Sequence, residues 1–209
     1  MNEIIIRTNF NAKIGLGHFY RCKILKDRFE EKKFKVTFVI DNNIKSDLVK
    51  NLNILNLGKK KFNNSDDSKL TYEKIKNKKI FLILVDDYRI NFKWEKFFVE
   101  KGYKVAVIDD LANRKHYCNF LIDSGWYGKE KNIKRYSKLL DNSPITLYGP
   151  EYKILNPKIK KVNKKDFNIM FYFGGGNYLN NYYKILDGLI KKLDQIKIKV
   201  IINIVVSGL

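Results

Sequence analysis

The stretch Ile14-Gly15-Leu16-Gly17-His18-Phe19-Tyr20-Arg21-Cys22 decides how this chain begins to fold. The apolar run Ile4–Ile6 precedes it, and from His18 onward the apolar residues follow at helical spacing as far as Phe29. The order is therefore a strand, a glycine loop and a helix. Glycines let the backbone approach a ligand closely, and the free amide groups at a helix start attract an anion.

His18 stands in the first turn of that helix. The partial positive charge of a helix start disfavours protonation of the imidazole, which leaves it able to accept a proton from water. The segment therefore indicates a site for a phosphate-bearing ligand with a base beside it. The simpler interpretation is a packed or capping histidine, since two glycines before a helix are common and G-x-G-H lacks the third glycine of the dinucleotide fingerprint.

Composition excludes several classes of protein. The 209 residues are 44% apolar and 14% aromatic, enough for one large domain or two small ones with a real core. No apolar run approaches the roughly 20 residues that cross a bilayer. Glu3 and Arg7 bracket only isoleucines, so the N-terminus is not a secretory signal. Cys22 and Cys118 make neither a disulfide framework nor a metal set. We expect a cytoplasmic protein that has no membrane partner, metal or cofactor.

The net charge of +20 raises the question of nucleic-acid binding. Lysine supplies most of the 42 basic residues, whereas base readout and tight phosphate forks favour arginine. The lysines are also spread along nearly every segment, as on solvated faces. We therefore expect no specific nucleic-acid partner, although the charge should speed the binding of a small anionic ligand.

The rest of the chain alternates strands with helices, which predicts an α/β fold with a parallel sheet. Strands are predicted at 36–40, 54–57, 80–85, 105–108 and 120–122, and helices near 44–50, 70–75 and 92–102. Polar side chains collect just past the strand ends, at Asn9, Asp41, Asp86, Asp87, Tyr88, Asp109 and Asp110. Ligands of open α/β sheets bind outside these carboxyl ends, so we expect the site there.

The domain organisation changes after residue 149. We predict an N-terminal catalytic domain over 1–149, a linker over 150–165 that contains a lysine-rich run, and a partial nucleotide-binding domain over 166–209. In this last part the opening pattern recurs. A strand is predicted at 169–173, then the loop Gly174-Gly175-Gly176-Asn177, and then a helix whose apolar face includes Ile185 and Leu193.

Six short motifs occur together in one order along the chain. They are Ile6-Arg7-Thr8-Asn9, the glycine loop with His18 and Arg21, Val85-Asp86-Asp87-Tyr88, Ile108-Asp109-Asp110-Leu111-Ala112 with His116 and Cys118, Leu147-Tyr148-Gly149-Pro150-Glu151-Tyr152 with Leu155, and Phe173-Gly174-Gly175-Gly176. In these the chain resembles the UDP-sugar hydrolases of bacterial pseudaminic acid biosynthesis (PseG-type). The resemblance implies a GT-B-like fold of two Rossmann-like domains.

The resemblance also implies an activity, namely metal-independent hydrolysis of UDP-2,4-diacetamido-2,4,6-trideoxy-β-L-altropyranose at its anomeric carbon. His18 matches the general base and Tyr88 a tyrosine that positions the reacting groups. The implied substrate-binding residues are Asn9, Gly15, Gly17, Arg21, Asp109, Gly174, Gly175 and Asn177. The family usually has aspartate at the position of Asn9. Because its C-terminal portion has no counterpart here, we expect weak or absent activity from these 209 residues alone.

Two other functions stay open. The first is a GT-B glycosyltransferase that uses a UDP-sugar donor, with an acceptor hydroxyl in place of water. Release of free sugar without an acceptor would separate it from the hydrolase. The second is a basic, non-enzymatic module that binds nucleic acid, which a steep salt dependence of DNA binding together with indifference to UDP would favour. The oligomeric state is not predicted.

Overall fold

The structure is a computed structural model that describes residues 2–9, 16–41, 49–58, 61–127, 129–155 and 179–190. Its contacts divide the chain into two compact units, one of residues 1–9 and 18–155 and one of residues 10–17 and 156–209. The predicted strand at 169–173, the loop at 174–177 and most of the predicted helix near 44–50 lie outside the described residues. The predicted domain limits stay a prediction.

The first unit is built on a parallel sheet of seven strands in the order β3-β2-β1-β4-β5-β6-β7. The strands are β1 (Glu3–Thr8), β2 (Lys35–Ile40), β3 (Ile54–Asn56), β4 (Ile80–Asp86), β5 (Val105–Ile108), β6 (Phe120–Asp123) and β7 (Ile145–Tyr148). Among the described residues up to 155, the helices are α1 (Gly17–Glu31), α2 (Asn64–Ile75), α3 (Phe92–Glu100) and α4 (Lys129–Tyr136), and a 3₁₀ turn follows at Pro150–Tyr152. This architecture confirms the predicted α/β class.

Helices cover both faces of the sheet, so the central strands are buried on both sides and read as continuous apolar runs. On one face, Ile4 and Ile6 of β1 pack with Cys22 of α1. On the other, Ile5 lies in a larger cluster that includes Trp94 of α3. Successive residues of each strand therefore point to different helices, and this alternation decides which polar side chains can meet at the strand ends.

Three elements differ from the sequence prediction. Helix α2 begins at Asn64 rather than near residue 70, because the Asn63 side chain caps it by accepting from the backbone N–H of Ser65 and Asp66. Helix α4 and strand β7 were not predicted at all. Most residues of α4 are charged or polar, and the first two residues of the edge strand β7 are exposed, so neither shows a clear apolar period.

In the second unit the structure describes helix α5 (Leu179–Ile190), which contains Ile185 of the predicted helix. Among the residues that the structure describes, no helix has both the length and the apolar character needed to span a membrane.

Candidate functional site

The candidate site lies where the strand order reverses, at the carboxyl ends of β1 and β4. From β1 the chain moves outward to β3 and then returns to place β4 on the other side of β1. Open α/β sheets bind ligands in the crevice at such a switch point. The two strand ends are tied together, because Thr8 Oγ1 donates a hydrogen bond to the carbonyl oxygen of Asp86 at 3.0 Å.

His18, in the first turn of α1, directs its imidazole at the end of β4. Its Nδ1 lies 2.6 Å from Oδ1 of Asp86. An ionised carboxylate only accepts hydrogen bonds, so Nδ1 donates to Asp86, and in the neutral ring Nε2 then keeps the lone pair. Nη2 of Arg21 also lies 3.2 Å from Nδ1, but it donates to Asp86 at 2.6 Å, and the shorter contacts decide the assignment. The His18 side chain is 11% exposed, so the ring is not sealed from solvent.

Asp86 is the buried centre of this cluster. Besides His18, its carboxylate accepts from Nε of Arg21 at 2.8 Å and from Sγ of Cys22 at 3.4 Å. Burial alone would raise the pKa of Asp86, but the hydrogen bonds from His18 and Arg21 and the positive charge of Arg21 lower it below its ordinary value. The carboxylate therefore stays ionised at neutral pH. It can hold the imidazole in one tautomer and stabilise the imidazolium that forms when Nε2 takes up a proton.

Tyr88 packs edge-on against His18, with ring centroids 4.5 Å apart and an angle of 83° between the planes. Its hydroxyl donates a hydrogen bond to Oδ1 of Asp110 at 2.5 Å. Burial, followed by the hydrogen bond to Asp110 and the negative charge of that carboxylate, raises the pKa of Tyr88 well above its ordinary value. The phenol therefore stays protonated. The structure thus brings His18, Arg21 and Tyr88 of the predicted site into one cluster.

Asp109 was also predicted to bind substrate, but its carboxylate lies elsewhere. It is fully buried on the face away from α1, where it accepts from Nη1 of Arg114 at 2.5 Å and from the hydroxyl of Tyr136 at 2.9 Å. The strand alternation is the cause, since Val105 and Val107 of β5 face the same cluster. Asp109 therefore binds other side chains of the protein, and its role towards a substrate stays a prediction.

The other predicted residues take different places. Asn9 directly follows β1 and is buried. Gly17 opens α1, and a Cβ added there would meet no atom within 4 Å, so the packing of the described residues does not demand glycine. Four predicted substrate contacts lie outside the described residues, namely Gly15, Gly174, Gly175 and Asn177.

Sequence reasoning missed two members of the cluster, Asp86 and Asp110. Both had been recognised as polar groups past strand ends, but neither had been paired with His18 or Tyr88. The alternation along each strand identifies both residues once the packing shows which side of the sheet faces α1. Leu84 of β4 and Ile108 of β5 face the same side as Cys22 of α1, and the residues two positions further on must face α1 as well.

The other histidine, His116, is buried and belongs to a separate network on the opposite face. Its Nδ1 lies 2.8 Å from Oε1 of Glu95, and its Nε2 lies 3.5 Å from Oδ2 of Asp109. Burial alone would lower the pKa of His116, but the two carboxylates outweigh that effect and raise it to about 8. His116 is therefore mainly protonated at neutral pH and bridges α3 to the loop that follows β5.

This network predicts a pH dependence of stability. Because the pKa of His116 in the folded chain, about 8, exceeds its ordinary value of 6.5, the contribution is complete below pH 6.5 and disappears as the pH rises through 8. We expect the stability advantage of the wild type over His116→Gln to shrink by about 2 kcal/mol between pH 6 and pH 9, measured by urea unfolding. An advantage that is constant across this range would contradict the assignment.

Comparisons with known proteins support the fold. No family model matches the chain. Over 212 residues it is 28% identical to the uncharacterized protein MJ1062 of Methanocaldococcus jannaschii, a match that covers 96% of the chain and 42% of that protein. The crystal structure of Acinetobacter baumannii MurG matches with a TM-score of 0.62 at 11% identity, covering 96% of this chain and 57% of MurG.

The likeness to MurG shows that the chain has a GT-B-like α/β fold, as predicted from the sequence. At 11% identity it shows the fold alone. The chain spans less than two thirds of the length of either protein, 42% of MJ1062 and 57% of MurG.

Proposed function

We propose that the chain belongs to an enzyme that hydrolyses a UDP-sugar to UDP and the free sugar. The observation that carries the proposal is the His18–Asp86 pair at the switch point of the sheet, with Nδ1 and Oδ1 2.6 Å apart. The resemblance in the sequence motifs favours UDP-2,4-diacetamido-2,4,6-trideoxy-β-L-altropyranose as the substrate. The reaction would then take place in the cytoplasm, as a step of pseudaminic acid synthesis. The GT-B-like fold supports a nucleotide-sugar ligand.

In this mechanism His18 is the general base. Nε2 takes a proton from water as the water oxygen bonds to the anomeric carbon, and the electron pair of the breaking C–O bond leaves with UDP. Asp86 keeps the proton on Nδ1 and offsets the positive charge that develops on the ring. Such help from a base is worth about 10²–10⁴-fold in rate.

UDP, the leaving group, needs hydrogen-bond donors for its phosphates. Arg21, the arginine beside His18, already donates to Asp86. Arg21 is held by Asp86 through Nε and Nη2, and its Nη1 lies 3.7 Å from Asp110. The backbone N–H groups in the first turn of α1, where a Cβ added at Gly17 would meet no atom within 4 Å, are therefore our candidates for contacts to the diphosphate.

The arginines argue against a nucleic-acid surface. All six form ion pairs with carboxylates, and all except the exposed Arg28 have their side chains less than one third exposed. The pairs are Arg7–Asp67, Arg21–Asp86, Arg28–Glu31, Arg89–Asp87, Arg114–Asp109 and Arg135–Asp123. We therefore keep a UDP-sugar as the proposed partner.

A glycosyltransferase is the second candidate, and the GT-B-like fold favours it, since this fold is named after such enzymes. The same His18–Asp86 pair would then take the proton from an acceptor hydroxyl rather than from water. The two reactions differ only in the nucleophile, so the products without an acceptor distinguish them.

The test is incubation of the protein with the UDP-sugar in H₂¹⁸O, at high protein concentration and without an acceptor. Hydrolysis at the anomeric carbon predicts UDP without label and a free sugar that carries ¹⁸O at its anomeric hydroxyl. UDP release only after an acceptor is added would favour the glycosyltransferase. Label in the phosphate product would overturn the proposal, because the water would then have attacked phosphorus rather than the anomeric carbon.

A further inference from the structure

One carboxylate of the cluster is open to solvent. The Asp110 side chain is 38% exposed, whereas that of Asp86 is fully buried. Oδ1 of Asp110 accepts from the Tyr88 hydroxyl at 2.5 Å. Oδ2 lies 3.7 Å from Nη1 of Arg21, which is within ion-pair distance but too long for a hydrogen bond. This oxygen therefore keeps acceptor capacity at the surface of the cluster.

The position of Asp110 relative to His18 is fixed by a closed ring of contacts. Asp110 accepts from Tyr88, whose ring packs against His18. His18 in turn contacts Asp86, which is paired with Arg21, and Arg21 reaches back to Asp110. The carbonyl oxygen of Asp110 also accepts from Nη2 of Arg135 at 2.8 Å, which anchors its backbone. A preorganised acceptor thus stands beside the base.

We propose that Asp110 is a substrate-binding residue whose Oδ2 accepts a hydrogen bond from a hydroxyl or amide N–H of the sugar. This inference rests on the proposed function and identifies the sugar as the part of the substrate that Asp110 binds. A carboxylate accepts hydrogen bonds and repels phosphate, so its partner is the sugar rather than the diphosphate. The resemblance implies a substrate-binding role for the neighbouring residue Asp109, which stays a separate prediction.

Tyr88 makes this arrangement specific. Its hydroxyl proton is used on Asp110, so the phenol offers the substrate its ring and an oxygen lone pair rather than a donor. Hydroxyl and amide groups of the sugar can therefore donate to two acceptors on this side of the cluster. These are the Tyr88 oxygen and the charged carboxylate of Asp110. A hydrogen bond to a charged acceptor is stronger than one between neutral groups, so its loss should raise the dissociation constant of the UDP-sugar measurably.

The test is Asp110→Asn, which keeps the shape and an acceptor for Tyr88 but can replace the outer acceptor with a donor. Dissociation constants for UDP and for UDP-2,4-diacetamido-2,4,6-trideoxy-β-L-altropyranose are measured by NMR titration. We expect the constant for the UDP-sugar to rise at least about tenfold and that for UDP to stay within about twofold. Asp27→Asn, on an exposed part of α1, is the matched control and should change neither constant.

Two outcomes would overturn the inference and are distinguishable from each other. If the wild type binds the UDP-sugar and Asp110→Asn binds it equally well, or loses UDP to the same extent, Asp110 does not read the sugar and the proposed function still stands. If the wild type binds neither UDP nor the UDP-sugar, the proposed function fails before any variant is compared, and the role of Asp110 fails with it.

Discussion

Replacing Asp67 with alanine is expected to lower the free energy of unfolding by about 3–5 kcal/mol, because it strips the buried guanidinium of Arg7 of its main partner. Asp67 accepts from Nε of Arg7 at 3.0 Å and from Nη2 at 2.6 Å. It also accepts from Nε1 of Trp94 at 2.8 Å. Arg7 is completely buried, and the remaining carboxylates lie further away, Asp41 at 3.4 Å and Asp87 at 3.5 Å.

The control for this prediction is the neighbouring residue in the same helical turn. Asp66 is exposed, and its carboxylate only complements the start of α2, so Asp66→Ala should cost at most about 1 kcal/mol. Urea unfolding of both variants provides the comparison. Asp67→Asn, which keeps an acceptor for Trp94, serves if the alanine variant does not fold. Equal stabilities of the Asp66 and Asp67 variants would show that Arg7 does not depend on this pair.

The second large effect concerns the proposed base. His18→Gln should lower turnover of the UDP-sugar by at least about 10²-fold, because glutamine can still donate to Asp86 but cannot accept a proton from water. The affinity for UDP should change little, since the loss falls on the transition state. Single-turnover rates and a separate UDP titration would measure the two effects.

The same substitution at the other histidine is the matched control, since the chain has 2 histidines. His116 is buried on the opposite face and contacts Glu95 and Asp109 rather than the cluster at Asp86. His116→Gln should therefore retain turnover under conditions in which it remains folded. Unchanged turnover in His18→Gln would remove His18 from the mechanism.

The elements that were predicted most accurately from the sequence are those with a clear local pattern of apolar residues. The apolar run of β4 and the helical spacing after His18 identified a central strand and the first helix, because burial on both faces leaves a continuous apolar signal. Helix α4 was not predicted because it buries few side chains, among them Tyr136, while most of its other residues are charged and Ile133 is exposed. Strand β7 was not predicted because it is an edge strand whose first residue, Ile145, is exposed.

The partners in the site were harder to predict, because they depend on which face of the sheet each strand end presents. Nothing local separates Asp86 from Asp87, or Asp109 from Asp110. Only the packing of the strands against α1 shows that the cluster takes Asp86 and Asp110. The i, i+3 spacing of His18 and Arg21 was visible in the sequence, whereas the carboxylate that joins them lies 68 residues from His18.

The tautomer of His18 tests the central claim most directly and needs no substrate. Long-range ¹H–¹⁵N NMR spectra of the His116→Gln variant contain signals from one imidazole, since the chain has 2 histidines. With the ring neutral, we predict the proton on Nδ1, facing Asp86 at 2.6 Å, and a bare lone pair on Nε2. A proton on Nε2 would contradict this account, because the nitrogen meant to receive the proton from water would already carry one.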